Sequence, residues 1–177
     1  MKKKIIHITK GEIGGLDTIV KKIVGRSREI YNPRVFFFSK GGERIYSEFD
    51  NERIAGLRLG MENIFGLFFN KIRYFNEADL IHIHHPKLWI LFSPLCFFRK
   101  KNVFTFHVNF GSNIKKNIFI KTLIYLVISY ATLFSKKLIF LTNAQKENLK
   151  KYSFFKNKFE KDSEIIGNFI NKGDVLT

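Results

Sequence analysis

The sequence predicts an α/β protein with a Rossmann-like, doubly wound, mostly parallel sheet that has helices on both faces. Short β-rich runs alternate along the chain with longer apolar runs at helical spacing. Parallel neighbouring strands need crossover connections, and helices of this length can supply them. The 177 residues contain no internal repeat or low-complexity linker. We therefore expect a single domain over residues 1–177.

The first half of the chain divides at its proline and glycine residues. Pro33 and the Gly41-Gly42 pair bound the β-rich runs, because proline and glycine disfavour the interior of regular elements. Apolar residues at helical spacing identify the helices. The expected elements are a strand at 4–9, a helix at 16–28, a strand at 34–39 that Gly41-Gly42 closes, a short strand at 53–57 and a helix at 61–75.

The second half continues the same alternation. Thr142 or Asn143 is suited to begin a helix, because its side-chain oxygen can accept a hydrogen bond from a backbone N–H of the first turn. The expected elements are a strand at 80–84, a helix at 87–98, a strand at 102–107, a long apolar helix at 118–134, a strand at 137–141, a helix at 144–152 and a strand at 164–167.

The chain is strongly basic, with 31 Lys and Arg against 15 Asp and Glu and a formal net charge of +16. Such a charge attracts nucleic acid, anionic lipid or phosphorylated ligands. AT-rich codons produce a similar mix of Lys, Asn, Ile and Phe, in which case the charge is only solvated surface. The 21 Phe residues lie mostly inside the predicted apolar elements. They indicate core rather than base-stacking platforms, so we expect no nucleic-acid partner.

Cysteine usage and the first residues favour a cytoplasmic location. The single Cys96 excludes an internal disulfide and lies in an apolar context that is typical of a buried thiol. The basic start resembles a leader, but His7 and Lys10 interrupt the apolar stretch and no small-residue cleavage site follows. The helix at 118–134 contains Lys121 and is marginal for spanning a membrane. We expect it to be buried, or to lie peripherally on the inner face of the cytoplasmic membrane.

Candidate binding residues follow the predicted strands, because ligands of open parallel sheets bind at the carboxyl ends of the strands. Gly14 and Gly15 lie between a strand and a helix N-terminus, where backbone N–H groups and the helix dipole favour a phosphate. A tight turn that merely requires glycine remains equally open, since the spacing is G-x-x-G-G rather than G-x-G-x-x-G. The polar residues after later strands are His84, His85, His107, Asn109, Thr142 and Asn143.

Other site chemistries find less support. His82 and His84 alternate on one face of a strand, which could suit a metal. No Asp, Glu or Cys at familiar ligand spacing completes the set, so we expect no metal. The sequence also contains no G-x-S-x-G elbow and no G-x-x-x-x-G-K-[ST] loop, which excludes hydrolases built on the first motif and nucleotide hydrolases built on the second.

Four motifs in their order and spacing resemble the N-terminal half of family 4 glycosyltransferases. They are KIIHIT leading to Gly14-Gly15-Leu16, ADLIHIH at 78–84, FTFH at 104–107 and LIFLTNAQKE at 138–147. The run IIGNFI at 165–170 is similar to the family's link into its second domain. The resemblance implies the GT-B architecture, in which two Rossmann-like domains face a cleft, and sugar transfer from a nucleotide donor with retention and without a metal.

The resemblance also implies roles for individual residues. Gly14 and Gly15 would approach the donor diphosphate or the acceptor, and His107 would be the catalytic residue that projects towards the reacting sugar. Asn109 stands where family members often carry Gly or Asp. The expected ligands are a nucleotide-sugar as co-substrate and a glycan or lipid-linked acceptor, in bacterial surface polysaccharide or lipopolysaccharide synthesis. No further cofactor is implied.

The largest departure from the family is length. Family members carry a second domain that supplies the nucleotide pocket and the cations for the leaving diphosphate. We expect this chain to be inactive alone, because that developing charge needs preorganised stabilisation. A donor-domain polypeptide is therefore an expected partner. The alternative is a non-catalytic Rossmann-like module, either half of a split transferase or an inactive remnant.

Overall fold

A computed structural model describes residues 2–12, 15–39, 41–53, 74–85, 88, 92, 102–107 and 118–167. Its seven strands form one sheet in which every neighbouring pair is parallel. In chain order the strands are β1 (Lys3–Ile8), β2 (Tyr31–Phe37), β3 (Asp50–Arg53), β4 (Leu80–Ile83), β5 (Asn102–Phe106), β6 (Lys137–Phe140) and β7 (Ser163–Ile165). The predicted α/β fold with a Rossmann-like parallel sheet is confirmed.

The order of the strands in the sheet is β3-β2-β1-β4-β5-β6-β7. The chain therefore builds outward from β1 to β3, returns to the middle, and builds outward again on the other side. Strand order reverses between β1 and β4, and the carboxyl ends beside such a reversal form the usual ligand crevice of a doubly wound sheet.

Five helices are described in full. They are α1 (Gly15–Ser27), α2 (Gly41–Ile45), α3 (Ile118–Phe134), α4 (Asn143–Lys150) and α5 (Lys156–Asp162). Asp17 in the first turn of α1 and Arg26 in its last turn complement the helix dipole. Thr142 caps α4, as expected, by accepting a hydrogen bond from the backbone N–H of Gln145 at 3.1 Å.

The apolar core is divided between the two faces of the sheet. The larger cluster packs β1, β4, β5 and β6 against one stripe of α3, and it includes Ile8, Phe104, Phe140 and Ile128, all without solvent exposure. The smaller cluster joins α1 and β2, with Val20, Val24, Val35, Phe37 and Tyr46 also fully buried. The larger cluster carries most of the apolar burial that stabilises the domain.

Several predicted boundaries are wrong in informative ways. The second strand begins at Tyr31 rather than Arg34, so Pro33 lies within it. The pairing of β2 with β3 begins only at Arg34, which places this proline before the part of the strand that is paired on both sides. Gly41-Gly42 do not simply close the strand but begin α2. The third strand is Asp50–Arg53, earlier than expected, and α5 was not predicted.

The predicted helix at 118–134 is confirmed residue for residue, but it is only half buried. Ile124, Ile128 and Ala131 pack into the core, whereas Leu123 and Leu126 on another face are more than half exposed. Among the described residues, no helix is both long enough and apolar enough to cross a membrane. Cys96 and most of the helices expected at 61–75 and 87–98 lie outside the described residues, although 74, 75, 88 and 92 are helical.

Candidate functional site

The carboxyl ends of β1, β4, β5 and β6 lie at one edge of the sheet because these strands are all parallel. His84 directly follows β4, and His107 directly follows β5. Gly15 is the first residue of α1, and Thr142 lies just beyond β6. Gly14 and Asn109 fall outside the described residues, so their predicted roles stay predictions.

The described glycines that flank the loop between β1 and α1 have different physical requirements. Gly11 has a φ of +74°, and a Cβ there would lie 2.8 Å from the Cβ of Phe37. Its glycine is required by backbone conformation and by packing. Gly15 would place a Cβ with no atom within 4 Å and has no positive φ. Nothing in the described fold requires glycine at position 15, which leaves room there for a ligand.

Asp17 holds this loop in place from within the first turn of α1. Its side chain is buried, with 2% exposure. Its Oδ1 accepts hydrogen bonds from the Thr9 hydroxyl at 2.7 Å, the Tyr46 hydroxyl at 2.6 Å and the Gly11 N–H at 3.2 Å, and Oδ2 accepts from the Glu12 N–H at 3.0 Å. Burial, and secondly Asp17, raise the pKa of Tyr46 above its ordinary value, so its hydroxyl stays protonated and can donate.

The Asp17 contacts limit where an anion could bind. The N–H groups of Gly11 and Glu12 already donate to its carboxylate, so these two donors are not available to a phosphate. The positive end of α1 begins at Gly15, three residues after Glu12. An anion site at this loop therefore depends on the helix N-terminus itself.

Four histidines from three neighbouring strands cluster on the α1 side of the sheet. His7 lies opposite His82 in the register of β1 and β4, and His84 is on the same face because side chains alternate along a strand. Two hydrogen bonds of 3.1 Å connect His7 Nδ1 with His84 Nε2 and His84 Nδ1 with His107 Nε2. His82 Nε2 is 2.6 Å from the Thr105 hydroxyl.

Burial keeps these imidazoles neutral. It lowers the pKa of His7 and of His107 to about 4, although the charge of Asp17 opposes the shift at His107. Burial is also the largest cause that lowers the pKa of His82 and His84, and the neighbouring histidines lower it further. At neutral pH each ring therefore has one N–H donor and one bare nitrogen.

Three of these rings could in principle hold a metal. His7, His82 and His84 each offer a ring nitrogen, and these nitrogens lie within 4.8 Å of one another. Neutral imidazole is the form that binds zinc. However, His7 and His84 are joined by a hydrogen bond and His82 by one to Thr105. A metal would have to displace part of this network.

A groove of about 690 Å³ runs between α1 and the strands beside it. His82, Thr105 and His107 contribute its polar wall, and Lys22 and Arg26 of α1 also border it. The remaining lining residues among those described are Thr18, Ile19, Ile23, Ser27, Ile139, Leu141, Ile166 and Gly167. A largely apolar groove with a few convergent polar groups is typical of a binding site for a small ligand.

Most of the other predicted site residues lie away from the groove lining, and two of them have their hydrogen-bonding atoms used within the fold. His84 is fully buried, and both of its ring nitrogens are used within the cluster. His85 is half-buried. Thr142 is exposed and its hydroxyl caps α4. His107 is the one of these four that borders the groove.

Sequence reasoning missed three contributors to this region, namely His7, Asp17 and Thr105. The signal for His7 and Thr105 is their spacing along the strand. Each of them, like His82, lies two residues from another polar residue, and residues two apart share one face of a strand. This spacing could be read from the sequence, but the register in which neighbouring strands pair could not. Asp17 carries no signal beyond a favourable charge at a helix start.

The fold matches one part of larger solved structures. A structure of Anabaena Alr3699/HepE in complex with UDP and glucose matches with a TM-score of 0.73 and 16% identity, over 95% of this chain and 45% of that chain. A glycosyltransferase from Rickettsia africae matches with a TM-score of 0.65 and 13% identity, over 99% and 46%. A UDP-N-acetylglucosamine 2-epimerase from Rickettsia bellii matches with a TM-score of 0.57 and 12% identity, over 95% and 45%.

No protein-family model and no curated protein sequence matches the chain. Identities this low establish the fold alone, and an epimerase and a glycosyltransferase share that fold, so the fold does not select the reaction. The chain spans about 45% of the length of these structures. This protein has the Rossmann-like fold found in one part of a glycosyltransferase and of a protein that holds UDP and glucose.

Proposed function

We propose that this chain is the acceptor-binding half of a retaining, family 4-like glycosyltransferase with the two-domain GT-B architecture. It would hold a glycan or lipid-linked acceptor that receives a hexose from a nucleotide-sugar, in bacterial surface polysaccharide or lipopolysaccharide synthesis. The observation that carries the proposal is His107, a neutral imidazole at the wall of a groove of about 690 Å³. The fold shared with a structure that holds UDP and glucose supports it.

The groove has the chemistry that a sugar ligand needs. A neutral imidazole can donate to or accept from a sugar hydroxyl, and the apolar side chains of Ile139 and Leu141 can contact the ring faces. Lys22 and Arg26 bring positive charge to the same groove, which would attract an anionic part of the ligand. The open space at Gly15 lies at the N-terminus of α1, whose dipole also favours negative charge.

Complete transfer requires a second unit. The diphosphate leaving group needs preorganised donors or cations, and this chain covers about 45% of the length of the structures that share its fold. We propose that a donor-binding domain, on a separate polypeptide or on the same longer chain, supplies them across the edge of the sheet that carries His107.

Ligand binding by this chain provides the direct test. Glucose and a gluco-oligosaccharide, as acceptor probes, and UDP-glucose, as the donor, are titrated separately into ¹⁵N-labelled protein, and amide shifts at the groove are followed. His107→Ala is expected to weaken binding about tenfold, because one hydrogen bond to a ligand contributes roughly 1.4 kcal/mol. The matched control is Ile30→Ala, an exposed residue outside the groove lining. No shift at the groove with either acceptor probe would overturn the proposal, whereas binding of UDP-glucose is expected to need the donor-binding domain.

The outer face of α3 supports peripheral membrane docking as part of this function. Leu123, Leu126 and Leu133 are exposed along it, and Phe154 next to it is 69% exposed. The ring of Phe154 contacts that of Tyr125 on α3. Exposed apolar side chains on a chain with a net charge of +16 suit an anionic surface that carries a lipid-linked acceptor.

Flotation with vesicles tests the docking. The protein is expected to float with phosphatidylglycerol-containing vesicles and to remain unbound with phosphatidylcholine alone. Leu126→Gln combined with Phe154→Gln should reduce the floated fraction severalfold, whereas Ile30→Gln, which is equally exposed elsewhere, should not. Equal failure on both vesicle types would count against docking and would leave the groove assignment intact.

A non-catalytic Rossmann-like module is the second candidate. The specific observation in its favour is that Asp17 already occupies the loop N–H groups of Gly11 and Glu12, which a phosphate site would be expected to use. The two candidates separate when the chain is combined with a donor-domain polypeptide. Sugar transfer that depends on His107 supports the first, and a stable complex without transfer supports the second.

A further inference from the structure

His7, His84 and His107 are joined end to end across three adjacent strands. His7 lies in β1, His84 follows β4 and His107 follows β5. Each of the two links is a nitrogen-to-nitrogen distance of 3.1 Å. The hydrogen-bonded series of rings thus begins at His7, which is fully buried, and ends at His107, which borders the groove.

The ring nitrogens at the two ends of this hydrogen-bonded series are His7 Nε2 and His107 Nδ1. Both are buried, and neither has a hydrogen-bond partner among the described residues. A buried polar atom without a partner is uncommon and needs an explanation, such as a ligand or a functional role. Here the two atoms lie at opposite ends of one hydrogen-bonded series.

Neutral rings allow only two proton arrangements that keep both links. If His7 donates from Nδ1, then His84 accepts at Nε2 and must donate from its own Nδ1, so all three rings carry the proton on Nδ1. If His107 donates from Nε2, the same rule places every proton on Nε2. The three tautomers are therefore coupled, and the proton position on His107 depends on His7.

The two arrangements differ in where they leave a donor unpaired. With all protons on Nε2, the unpaired N–H belongs to His7, which is fully buried within the sheet. With all protons on Nδ1, it belongs to His107 at the groove. An unpaired buried N–H costs about 1–3 kcal/mol, and only the donor on His107 can be relieved by a ligand oxygen that enters the groove.

We infer that His7 and His84 are positioning residues that hold His107 as an Nδ1–H donor for an acceptor oxygen of the ligand. Burial lowers the pKa of His7 and of His107 to about 4 and lowers that of His84, so the rings are neutral at pH 7. The inference rests on the proposed function only for the identity of the ligand. The oxygen would belong to a sugar hydroxyl or to a phosphate.

Long-range ¹H–¹⁵N correlation spectra of the histidine rings test this inference on the ligand-free chain. A protonated ring nitrogen and a bare one have well-separated ¹⁵N shifts, so each tautomer is read directly. We expect Nδ1–H on His7, His84 and His107 at pH 7.5. Nε2–H on all three overturns the assignment of the donor, and unlike tautomers on the three rings overturn the coupling.

His7→Asp and its matched control His7→Asn test whether position 7 sets the proton on His107. A carboxylate can only accept, so Asp should reverse the series and move the proton of His107 to Nε2. The Asn side-chain amide can still donate to His84, so His107 should keep Nδ1–H. A His107 ring that keeps Nδ1–H in His7→Asp, or that changes to Nε2–H in His7→Asn, overturns the inference. If His7→Asp does not fold, the wild-type tautomers and the Asn variant decide the question.

Ligand probes separate this inference from the proposed function. Glucose and inorganic phosphate are added singly, and a selective shift of His107 Nδ1 identifies the source of the oxygen. Groove binding with Nε2–H on all three rings overturns the inference alone. The expected tautomers with no groove binding overturn the proposed function alone.

One equivalent of Zn²⁺ that stays bound after gel filtration and abolishes the ring N–H signals would show a metal site instead and overturn the inference.

Discussion

The two faces of the central strands have opposite chemistry, although alternate residues of the same strands form them. On one face, β1, β4 and β5 contribute Ile8, Ile83 and Phe106 to an apolar cluster. On the other face, the same strands or the residues that directly follow them contribute His7, His84, Thr105 and His107 to a hydrogen-bonded network beside a groove. Both faces are largely buried.

The difference teaches that burial and stabilisation are separate properties. The apolar face gains free energy from every methylene that leaves water. The polar face must satisfy buried nitrogens with hydrogen bonds whose net contribution is small, and two of those nitrogens have no hydrogen-bond partner within the described part of the chain. We therefore expect the apolar face to determine stability and the polar face to determine binding and sensitivity to acid.

Phe140→Ala is expected to have the largest effect, because it removes a fully buried ring from the apolar face. Phe140 lies parallel to Phe106 with 4.9 Å between ring centroids and also contacts Phe159. We expect a loss of about 3–5 kcal/mol in the free energy of unfolding, measured by urea denaturation. Phe154→Ala, at an exposed ring, should cost under about 1 kcal/mol. Similar losses from both variants would contradict this division of roles.

Acid should act mainly through the polar face. The pKa of His7 is about 4 in the folded chain and 6.5 without burial, so between these values the unfolded chain binds more protons and stability falls as pH falls. His7 alone should remove about 2 kcal/mol between pH 7.5 and pH 5, and roughly 3 kcal/mol below pH 4.

Urea denaturation of the wild type and of His7→Asn at both pH values tests the contribution of His7 to acid sensitivity, because position 7 is the one difference between the two proteins. The free energy of unfolding of the variant should fall less on acidification, by about the same 2 kcal/mol. An equal fall in the two proteins would show that His7 is not held neutral by burial.

Gly11→Ala tests the packing of the smaller, α1-side cluster. The new methyl group would lie 2.8 Å from Phe37 Cβ on a backbone with a φ of +74°, so we expect a loss of about 2 kcal/mol. The control is Gly15→Ala, where nothing lies within 4 Å, and its stability should change by less than about 0.5 kcal/mol. Calorimetric unfolding measures both, and a large loss at position 15 would contradict the open space described there.

Thr105→Val should have the smallest effect on stability. The substitution keeps the shape of the side chain but removes the hydroxyl that pairs with His82 Nε2 at 2.6 Å. We expect a loss of about 1 kcal/mol in urea denaturation, together with a changed ¹⁵N shift of the His82 ring. A loss that rivals Phe140→Ala would show that the polar face also carries much of the stability.

Elements with a strong local pattern were predicted well. The helix Ile118–Phe134 has the predicted bounds because its apolar run is long and free of glycine and proline. The second strand was misplaced by three residues because Pro33 was interpreted as a boundary, although the strand pairs on only one side at that position. Element bounds depend on pairing partners, and a local pattern does not contain them.

In the candidate site too, the local pattern identified some residues and missed others. His107 and His84 were singled out because they follow predicted strands, and the structure places both in one hydrogen-bonded series. The role of His7 could not be predicted, since its link to His84 crosses 77 positions of the chain. Asp17 was missed because its partners include Tyr46, which reaches it from beyond β2.

The sequence by itself determined the parallel α/β architecture, since alternating β-rich and helical runs leave few other ways to bury both faces of a sheet. It also determined the alternation that separates isoleucine from histidine on β1 and β4, because side chains of a strand point to opposite faces. Only the tertiary structure decided which strands are neighbours, and hence which histidines meet, which glycine is required and where the groove lies. These properties depend on register and packing between residues distant in sequence, and no local preference specifies them.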